Sequence, residues 1–454
     1  MLNKIKKLIP RRLFSCYHYG LALLGAVIYR FPAKQLTVIG ITGTKGKSST
    51  TELINAILEE SGHRTAVAGT IRFKTGDDDQ PNLKKMTQPG RFFLQRSLRK
   101  AVNKGCDTAV LELTSQGAEQ WRHKWLELDV LVFTNLSPEH IESHGSYEKY
   151  REAKLSIGRE LEKAAKQNKY LAVNADDPEH HRFIEAAPSA QVIKFSQQEA
   201  EVTSFTPEQQ IFRWRQKEWK TPLTGDFNRQ NILAALCATL DTGLADAESA
   251  SSAISKLDTL PGRTEKINRG QDFSVVVDYA HTPDSLEKLY QAFAQSKKDD
   301  QNKTSKTLQQ DRSKPFGGAQ DKHADEHQLI CVLGNTGGGR DKWKRPVMGE
   351  IADRYCDEVI LTNEDPYDED PEQIVEEMRL AIKNTPCRII IDRREAIHQA
   401  LRSAASGERS QNSVVLISGK GTDPYIMGSR GERIPWSDRQ VAEEELNKLV
   451  NSSR

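Results

Sequence analysis

Gly43-Thr44-Lys45-Gly46-Lys47-Ser48 is the stretch of this chain best suited to holding a phosphate. The apolar residues before it (Leu36, Val38, Ile39, Ile41) read as a buried strand, and Leu53, Ile54, Ile57 and Leu58 recur at helical spacing until Gly62. Strand, glycine loop and helix start are the parts of an anion cradle. Glycines let backbone N–H groups close on the anion, and the helix N-terminus adds its positive end. Lys47 then reaches the outer phosphates, and the Ser48 hydroxyl can hold Mg²⁺. The strict P-loop pattern places glycine six positions before that lysine, and Ile41 stands there instead. A glycine-rich turn with an exposed lysine is the bland alternative on these residues alone.

Four further clusters sit at the ends of strand-like runs or on the helix that follows. Glu112-Leu113-Thr114-Ser115-Gln116-Gly117 offers a carboxylate, and hard divalent cations take oxygen ligands; capping of the next helix is its plain alternative. Thr134-Asn135-Leu136-Ser137-Pro138-Glu139-His140 brings a histidine that can ligate metal or hydrogen-bond structurally. Lys154 lies in Tyr150-Arg151-Glu152-Ala153-Lys154, and Asn174-Ala175-Asp176-Asp177-Pro178 reads as a turn or a ligand loop.

The elements around these clusters alternate. Thr108–Thr114, Val130–Asn135 and Tyr170–Asn174 are apolar runs ending in polar residues, the place where parallel α/β sheets hold ligands. Val202–Trp219 alternates like paired antiparallel strands, and Asn228–Asp241 carries a helical stripe of Ile232, Leu233, Ala235, Leu236 and Leu240. A boundary falls near Leu260-Pro261-Gly262. A second βα series follows at Phe273–Asp278, Leu329–Leu333, Glu358–Thr362, Arg388–Ile391 and Val414–Ile417. The expected fold is α/β: a central P-loop ATPase-like domain with a mostly parallel sheet, then a C-terminal Rossmann-like domain. The expected divisions are an N-terminal segment 1–34, an ATP-binding domain 35–262 and a C-terminal domain 263–454, with 297–327 as a disordered insertion.

With 454 residues the chain exceeds a single core, and its net charge of +2 gives no pull toward nucleic acid. The six cysteines are scattered singly, which suggests neither a zinc site nor a disulfide framework and fits a reducing cytoplasm. Lys4, Lys6, Lys7, Arg11 and Arg12 precede an apolar run, Leu21 to Tyr29, too short for the roughly 20 residues of a membrane span. This segment reads as a helix that either packs on the first domain or touches a membrane surface peripherally through residues 1–30.

The blocks GITGTKGKSSTTELI, LELTSQG, FTNLSPEHIESHGSYEKYREAK, VNADDP, GDFNRQNILAA, LPGRTEK, VVVDYAHTPDSL, GGGRDKWKRPVMGEIA, DRREAI and SGKGTD occur in this order. From Leu36 onward they resemble the Mur ligases, most of all the UDP-N-acetylmuramoyl-tripeptide synthetase type. The resemblance implies a monomeric cytoplasmic enzyme that joins an amino acid (diaminopimelate, lysine or similar) to a UDP-MurNAc-peptide-like acceptor. The cofactors it implies are ATP and Mg²⁺ at two sites. Gly43, Thr44, Lys45, Gly46, Lys47, Ser48 and Ser49 would hold the ATP phosphates. Asn231, Asp278 and His281 would grip base and ribose, with Arg263 near the phosphates, and Arg340, Asp341, Lys344 and Arg345 would be the second domain's contribution to the closed, ATP-holding site. Ser48 and Glu112 would hold one metal and His140 a second, with Lys154 carbamylated. Thr87, Thr114, Ser115, Gln116, Asp365, Tyr367 and Asp423 would meet the substrates.

Departures from the family pattern bear on substrate. Members of this type begin with about one hundred residues that hold the uridine nucleotide, whereas 35 residues precede Leu36 here. Asp-Asn-Pro-Arg, whose arginine grips the carboxylate of diaminopimelate, appears as Glu364-Asp365-Pro366-Tyr367, and Gly-Lys-Gly-His-Glu as Gly419-Lys420-Gly421-Thr422-Asp423. Tyr367 supplies no bidentate cation, while Asp365 and Asp423 suit a distal ammonium such as that of lysine; Arg393 or Arg394 are the candidates to compensate. Two other readings stay open: a ligase with a cyanophycin- or folylpolyglutamate-like acceptor, and an inactive nucleotide-binding partner subunit.

Overall fold

The computed structural model describes residues 11–90, 92–139, 144–206, 209–294, 328–339, 341–406 and 412–452. Residues 1–10, His140, Arg340 and the expected insertion 297–327 lie outside the described residues. The chain divides into two units, Met1–Asp258 and Thr259–Arg454.

In the first unit, eight strands form one sheet: β1 (Thr37–Thr42), β2 (Thr65–Ala68), β3 (Arg72–Thr75), β4 (Asp78–Pro81), β5 (Thr108–Glu112), β6 (Val130–Phe133), β7 (Tyr170–Asn174) and β8 (Gln191–Phe195). Their order is β4-β3-β2-β5-β1-β6-β7-β8. From β2 to β8 all neighbours are parallel, and β3 and β4 turn back antiparallel. Continuous Val, Ile and Leu runs suit β1, β5 and β6 because parallel strands are covered on both faces. Val38, Ile39, Val110 and Val132 are accordingly fully buried. One face packs on the buried sides of helices Phe93–Asn103, Tyr147–Lys163 and His180–Ala186, where Phe133 stacks on Phe183 at 4.1 Å between centroids. Helices Lys47–Glu60 and Asp226–Leu240 are buried along most of their length. The expected antiparallel stretch is a three-stranded sheet of β9 (Glu201–Phe205), β10 (Gln210–Trp214) and β11 (Lys217–Thr221), with Trp214 and Trp219 inside.

The N-terminal segment forms the helix Arg11–Ile28. His18, Ala22 and Ala26 are buried, and Trp121 donates through Nε1 to Ser15 Oγ at 2.9 Å. One side of the helix thus packs on the first unit, while Tyr17, Leu23, Leu24, Val27 and Ile28 stay exposed on the other. Among the described residues, no helix is long and apolar enough to cross a membrane.

The second unit holds a six-stranded sheet of β12 (Glu265–Lys266), β13 (Ser274–Asp278), β14 (Gln328–Leu333), β15 (Glu358–Leu361), β16 (Cys387–Ile389) and β17 (Ser413–Ser418). It runs β12-β13-β17-β14-β15-β16 and is parallel except for β12. A hairpin of β18 (Tyr425–Met427) and β19 (Arg433–Pro435) follows.

One expectation fails here. Cys331 and Cys356 form a disulfide with Cα atoms 6.2 Å apart, so the cysteines are not all single. Cys331 lies within β14, and the helix Lys344–Tyr355 returns the chain so that Cys356 lands beside it just before β15. The crossover makes this pair, and a sequence separation of 25 residues hides it.

Denatured without reductant, the oxidised chain should expose four titratable thiols, those of Cys16, Cys106, Cys237 and Cys387, rising to six after reduction. Six thiols without reductant would refute the pairing. Phe133→Ala should cost the first unit about 3–5 kcal/mol, read from its denaturant midpoint, because it opens a cavity against Phe183.

Candidate active site

The phosphate loop follows β1 between the ends of β5 and β6, the point where chain order reverses across the sheet and ligands lodge. The sheet register sets Ile41 beside Glu112 and Thr42 beside Phe133, so the loop emerges between Glu112 and Thr134. Two glycines are obligatory there. Gly43 has φ +150° and Gly46 φ +81°, and a Cβ would fall 1.9 Å from Thr134 Oγ1 at the first and 2.3 Å from Asn231 Oδ1 at the second. The sheet's next strand end holds the loop in place. Lys45 N–H donates to Asn135 Oδ1 at 2.8 Å, Thr134 Oγ1 to the Lys45 carbonyl at 2.7 Å, and Lys45 Nζ pairs with Glu139 at 2.8 Å. Tyr150 OH and Thr44 Oγ1 share a hydrogen bond of 2.8 Å.

Three lysines converge on this loop. Lys47 Nζ donates to the carbonyls of Gly43 and Thr44, both at 2.9 Å, and Lys154 Nζ donates to the same Gly43 carbonyl at 2.5 Å. Lys154 is completely buried. Desolvation, then repulsion from Lys47 and Lys45 only partly offset by Glu139, holds its ammonium pKa well below the ordinary value. Its side chain is therefore disposed to be a neutral amine. Beside it, Ser48 Oγ donates to Glu112 Oε2 at 3.1 Å, while Thr70 donates to Glu112 through its N–H at 2.7 Å and its hydroxyl at 3.0 Å. Glu112 is 1% exposed, and its oxygens with that of Ser48 make a hard donor set that fits Mg²⁺. Among the described residues, no group of three or more His, Cys, Asp or Glu side chains gathers as a metal cluster.

The sequence-predicted substrate residues of this unit lie near Glu112. Thr87 Oγ1 bonds Thr70 Oγ1 at 2.8 Å, linking it to the carboxylate. Thr114 caps the short helix Ser115–Glu119, which carries Gln116, and both its N–H and its hydroxyl donate to Gln88 Oε1. Ser115 Oγ lies 3.0 Å from His144 Nε2. Asn231 Oδ1 accepts from Thr50 Oγ1 at 3.4 Å and packs on Gly46, so this residue abuts the phosphate loop. Thr70, Gln88 and Tyr150 escaped sequence reasoning, since each works through the fold rather than a motif; Gln88, following Thr87, had a neighbour as its only signal.

In the second unit, β13 and β17 bring their blocks together, Asp278 lying beside Ser418. Asp278 accepts from the N–H groups of Thr264 and Ala280, each at 2.7 Å; burial raises its pKa against the opposing pull of Arg263. The Arg263 guanidinium lies 4.4 Å from the Tyr279 ring centre, and His281 Nδ1 is 2.8 Å from the Tyr279 carbonyl. A Cβ on Gly262 would strike Thr422 N at 2.5 Å, so the Leu-Pro-Gly-Arg and Gly-Lys-Gly turns touch. Asp365 and Asp423 both face Lys420 Nζ, at 2.8 and 3.3 Å. Tyr367 takes a left-handed φ of +53° and donates its N–H to the Met427 carbonyl. Arg345 and Arg393 are buried struts, paired with Glu369 and Glu377 and with Asp438 respectively, and Arg394 pairs with Glu444 and Glu445.

Glu364 stands apart. Burial, then repulsion from Asp365, lifts its pKa to about 7 against the pull of Lys420 and Arg393. A folded-state value above the unfolded one means that its contribution to stability is complete at low pH and declines as pH rises toward and through 7. Glu364→Gln should flatten the pH dependence of the second unit's stability between about pH 5 and 8, measured by denaturation across that range. An unchanged profile would remove Glu364 from this role.

Comparison with known proteins places these features in a family. A Mur ligase middle-domain profile matches residues 41–239, and a Mur ligase glutamate-ligase-domain profile matches 318–421. The chain is 33% identical over 452 residues to a UDP-N-acetylmuramoyl-L-alanyl-D-glutamate–2,6-diaminopimelate ligase of Geobacillus kaustophilus, covering 96% of this chain and 83% of that one. It is 35% identical to a UDP-N-acetylmuramyl-tripeptide synthetase of a Roseiflexus species, covering 95% and 82%. A solved diaminopimelate ligase of the first kind superposes with a TM-score of 0.58 at 29% identity, covering 91% of this chain and 79% of its own. A Mycobacterium tuberculosis folylpolyglutamate synthase, at 16% identity and a TM-score of 0.67, shares the fold alone. The chain belongs to the Mur ligase family of ATP- and Mg²⁺-using amide ligases.

Proposed function

We propose that this chain is a ligase of the tripeptide-synthetase type, adding an amino acid to a UDP-MurNAc-peptide-like cell-wall precursor in the cytoplasm. The observation that carries the reading is the meeting of Lys47, Ser48, Glu112 and a buried, charge-starved Lys154 at one glycine loop. Residues 35–262 serve as the ATP-binding domain and 263–454 as the second catalytic domain, working as a monomer. The N-terminal helix touches a membrane surface peripherally.

A carboxylate oxygen of the acceptor attacks the γ-phosphorus of ATP, forming an acyl phosphate as the bond to ADP breaks. The amine of the incoming amino acid then attacks the acyl carbon, loses a proton, and expels phosphate. Bringing a carboxylate to a polyphosphate is the difficulty: two unit charges 4 Å apart repel by about 4 kcal/mol at an effective dielectric of 20. The loop amides and Lys47 offset this by gripping the phosphates, so positioning and electrostatics do most of the catalysis. Ser48 and Glu112 hold one Mg²⁺, which supplies charge neutralisation when bound. His140 and a carbamylated Lys154 serve a second.

Lys154 suits carbamylation because only a neutral amine attacks CO₂. Its nitrogen bonds to the carbon and one proton leaves to solvent. The product turns a cation crowded by Lys47 and Lys45 into an anion attracted to them. The amino-acid preference follows from the second unit. Tyr367 leaves a diaminopimelate carboxylate without a bidentate cation. Asp365 and Asp423 share one ammonium, that of Lys420, so these three groups retain a negative charge that suits a distal amine.

Purified chain should release phosphate from ATP only when acceptor and amino acid are both present; an inactive binding subunit would release none. Lys47→Ala should abolish ADP formation. Lys154→Ala should lose about 10²–10³-fold in kcat, the scale of one lost electrostatic group, and short carboxylic acids should restore much of it. Full activity without them would exclude the carbamate. L-Lysine should equal or exceed diaminopimelate in kcat/KM, and a strong diaminopimelate preference would overturn the pocket assignment.

A further inference from the structure

His144 and Glu119 flank Ser115, and neither enters the reaction steps above. β5 ends at Glu112, and the chain soon turns into the short helix Ser115–Glu119. Ser115 and Glu119 are four residues apart, so they share one side of that helix. His144 fits between them: its Nε2 is 3.0 Å from Ser115 Oγ and its Nδ1 is 3.0 Å from Glu119 Oε1. The second contact is electrostatic, because Nδ1 has no aligned hydrogen-bond partner among the described residues. The His144 side chain is completely buried, while Glu119 is nearly half exposed. The imidazole meets the Tyr150 ring edge-on, 5.3 Å between centres, and Tyr150 OH is the group bonded to Thr44 of the phosphate loop. His144 is thus fixed between the support of that loop and Ser115.

A carboxylate beside Nδ1 favours the imidazole tautomer that carries its proton there. In that neutral ring Nε2 holds a lone pair, so the Ser115 hydroxyl donates to it. With its one proton committed, the hydroxyl oxygen has only lone pairs left for a ligand. It can accept a hydrogen bond and cannot donate one. Carboxylate and phosphate oxygens of an acceptor only accept, whereas its peptide N–H groups donate. Those N–H groups are also the donors within a few bonds of the reacting carboxyl, and Ser115 stands three residues beyond Glu112.

We infer that Ser115 receives a peptide N–H of the acceptor, and that His144 and Glu119 are positioning residues that set its hydroxyl to do so. The inference rests on the ligase reading above and deepens it by naming the chemical group that Ser115 reads. An N–H held at Ser115 keeps the acceptor's peptide beside the Ser48–Glu112 pair, the side of the loop where its carboxylate must meet the γ-phosphate.

Steady-state ADP release by the full chain is the test. Ser115→Ala and His144→Phe should each raise KM for acceptor about fivefold, the worth of one hydrogen bond, and Glu119→Gln should raise it in the same direction, all with KM for ATP unchanged. His144→Gln, whose side-chain oxygen can stand in for Nε2, should stay within about twofold of wild type. Ser115→Ala/His144→Phe should be no worse than Ser115→Ala, because His144 acts through Ser115. Acceptors in which an ester oxygen replaces each peptide N–H in turn identify the donor: one of them should lose about fivefold with wild type and nothing with Ser115→Ala. Equal losses by wild type and Ser115→Ala for every ester analogue, or a wild-type acceptor KM in His144→Phe, overturn the inference. Should His144→Phe fail to fold, Glu119→Gln decides in its place from a half-exposed position, and an unchanged acceptor KM there overturns the positioning. Wild type without acceptor-dependent ADP release discards the ligase reading and this inference with it, whereas release by wild type with unaltered variants discards this inference alone.

Discussion

The Gly43 carbonyl accepts from two lysines at once, and the rest of the first unit is arranged around that crowding. Two ammonium groups on one backbone oxygen would repel each other, so the crowding favours a neutral Lys154 beside a charged Lys47. Positive-φ glycines bring the loop's backbone close, Thr134 and Asn135 hold it from β6, and Tyr150 ties it to the helix that delivers Lys154. Burial then does what no sequence motif displays, stripping Lys154 of the solvent that would keep it charged.

The second unit solves its electrostatics differently, by closing charges on one another. Lys420 spans Asp365 and Asp423, Arg393 is locked to Asp438, and Arg345 lies between two glutamates. Such pairs fix turns rather than add much stability, because desolvation offsets most of the attraction. Arg393 and Arg394, the candidates to compensate at Tyr367, are each engaged, the first with Asp438 and the second with Glu444 and Glu445.

Much of this arrangement was legible in the residue pattern. Strand, glycine loop and helix from Thr37 to Glu60 followed from hydrophobic spacing, as did antiparallel pairing within Val202–Trp219 and the second βα series, though not the third strand of that small sheet. Strands β3 and β4 were not, because Arg72–Thr75 and Asp78–Pro81 are half-buried or exposed and show no apolar alternation. The Cys331–Cys356 pair was hidden because the crossover, not spacing, makes it. Thr70 reaches Glu112 across 42 positions, a contact that only the sheet order creates. The pairing of Asp365 and Asp423 with Lys420 likewise needed the folded turn.

The outer strand β4 has a consequence for how the molecule behaves among its own kind. An unpaired sheet edge is a template on which other chains can polymerise. Here that margin reads Asp-Asp-Gln-Pro, its two carboxylates held by Arg72 and Lys100, and its proline lacks the N–H that a docking strand would require. The extension beyond β2 therefore works as a seal against fibril growth on that flank, leaving the parallel core free to remain long and apolar.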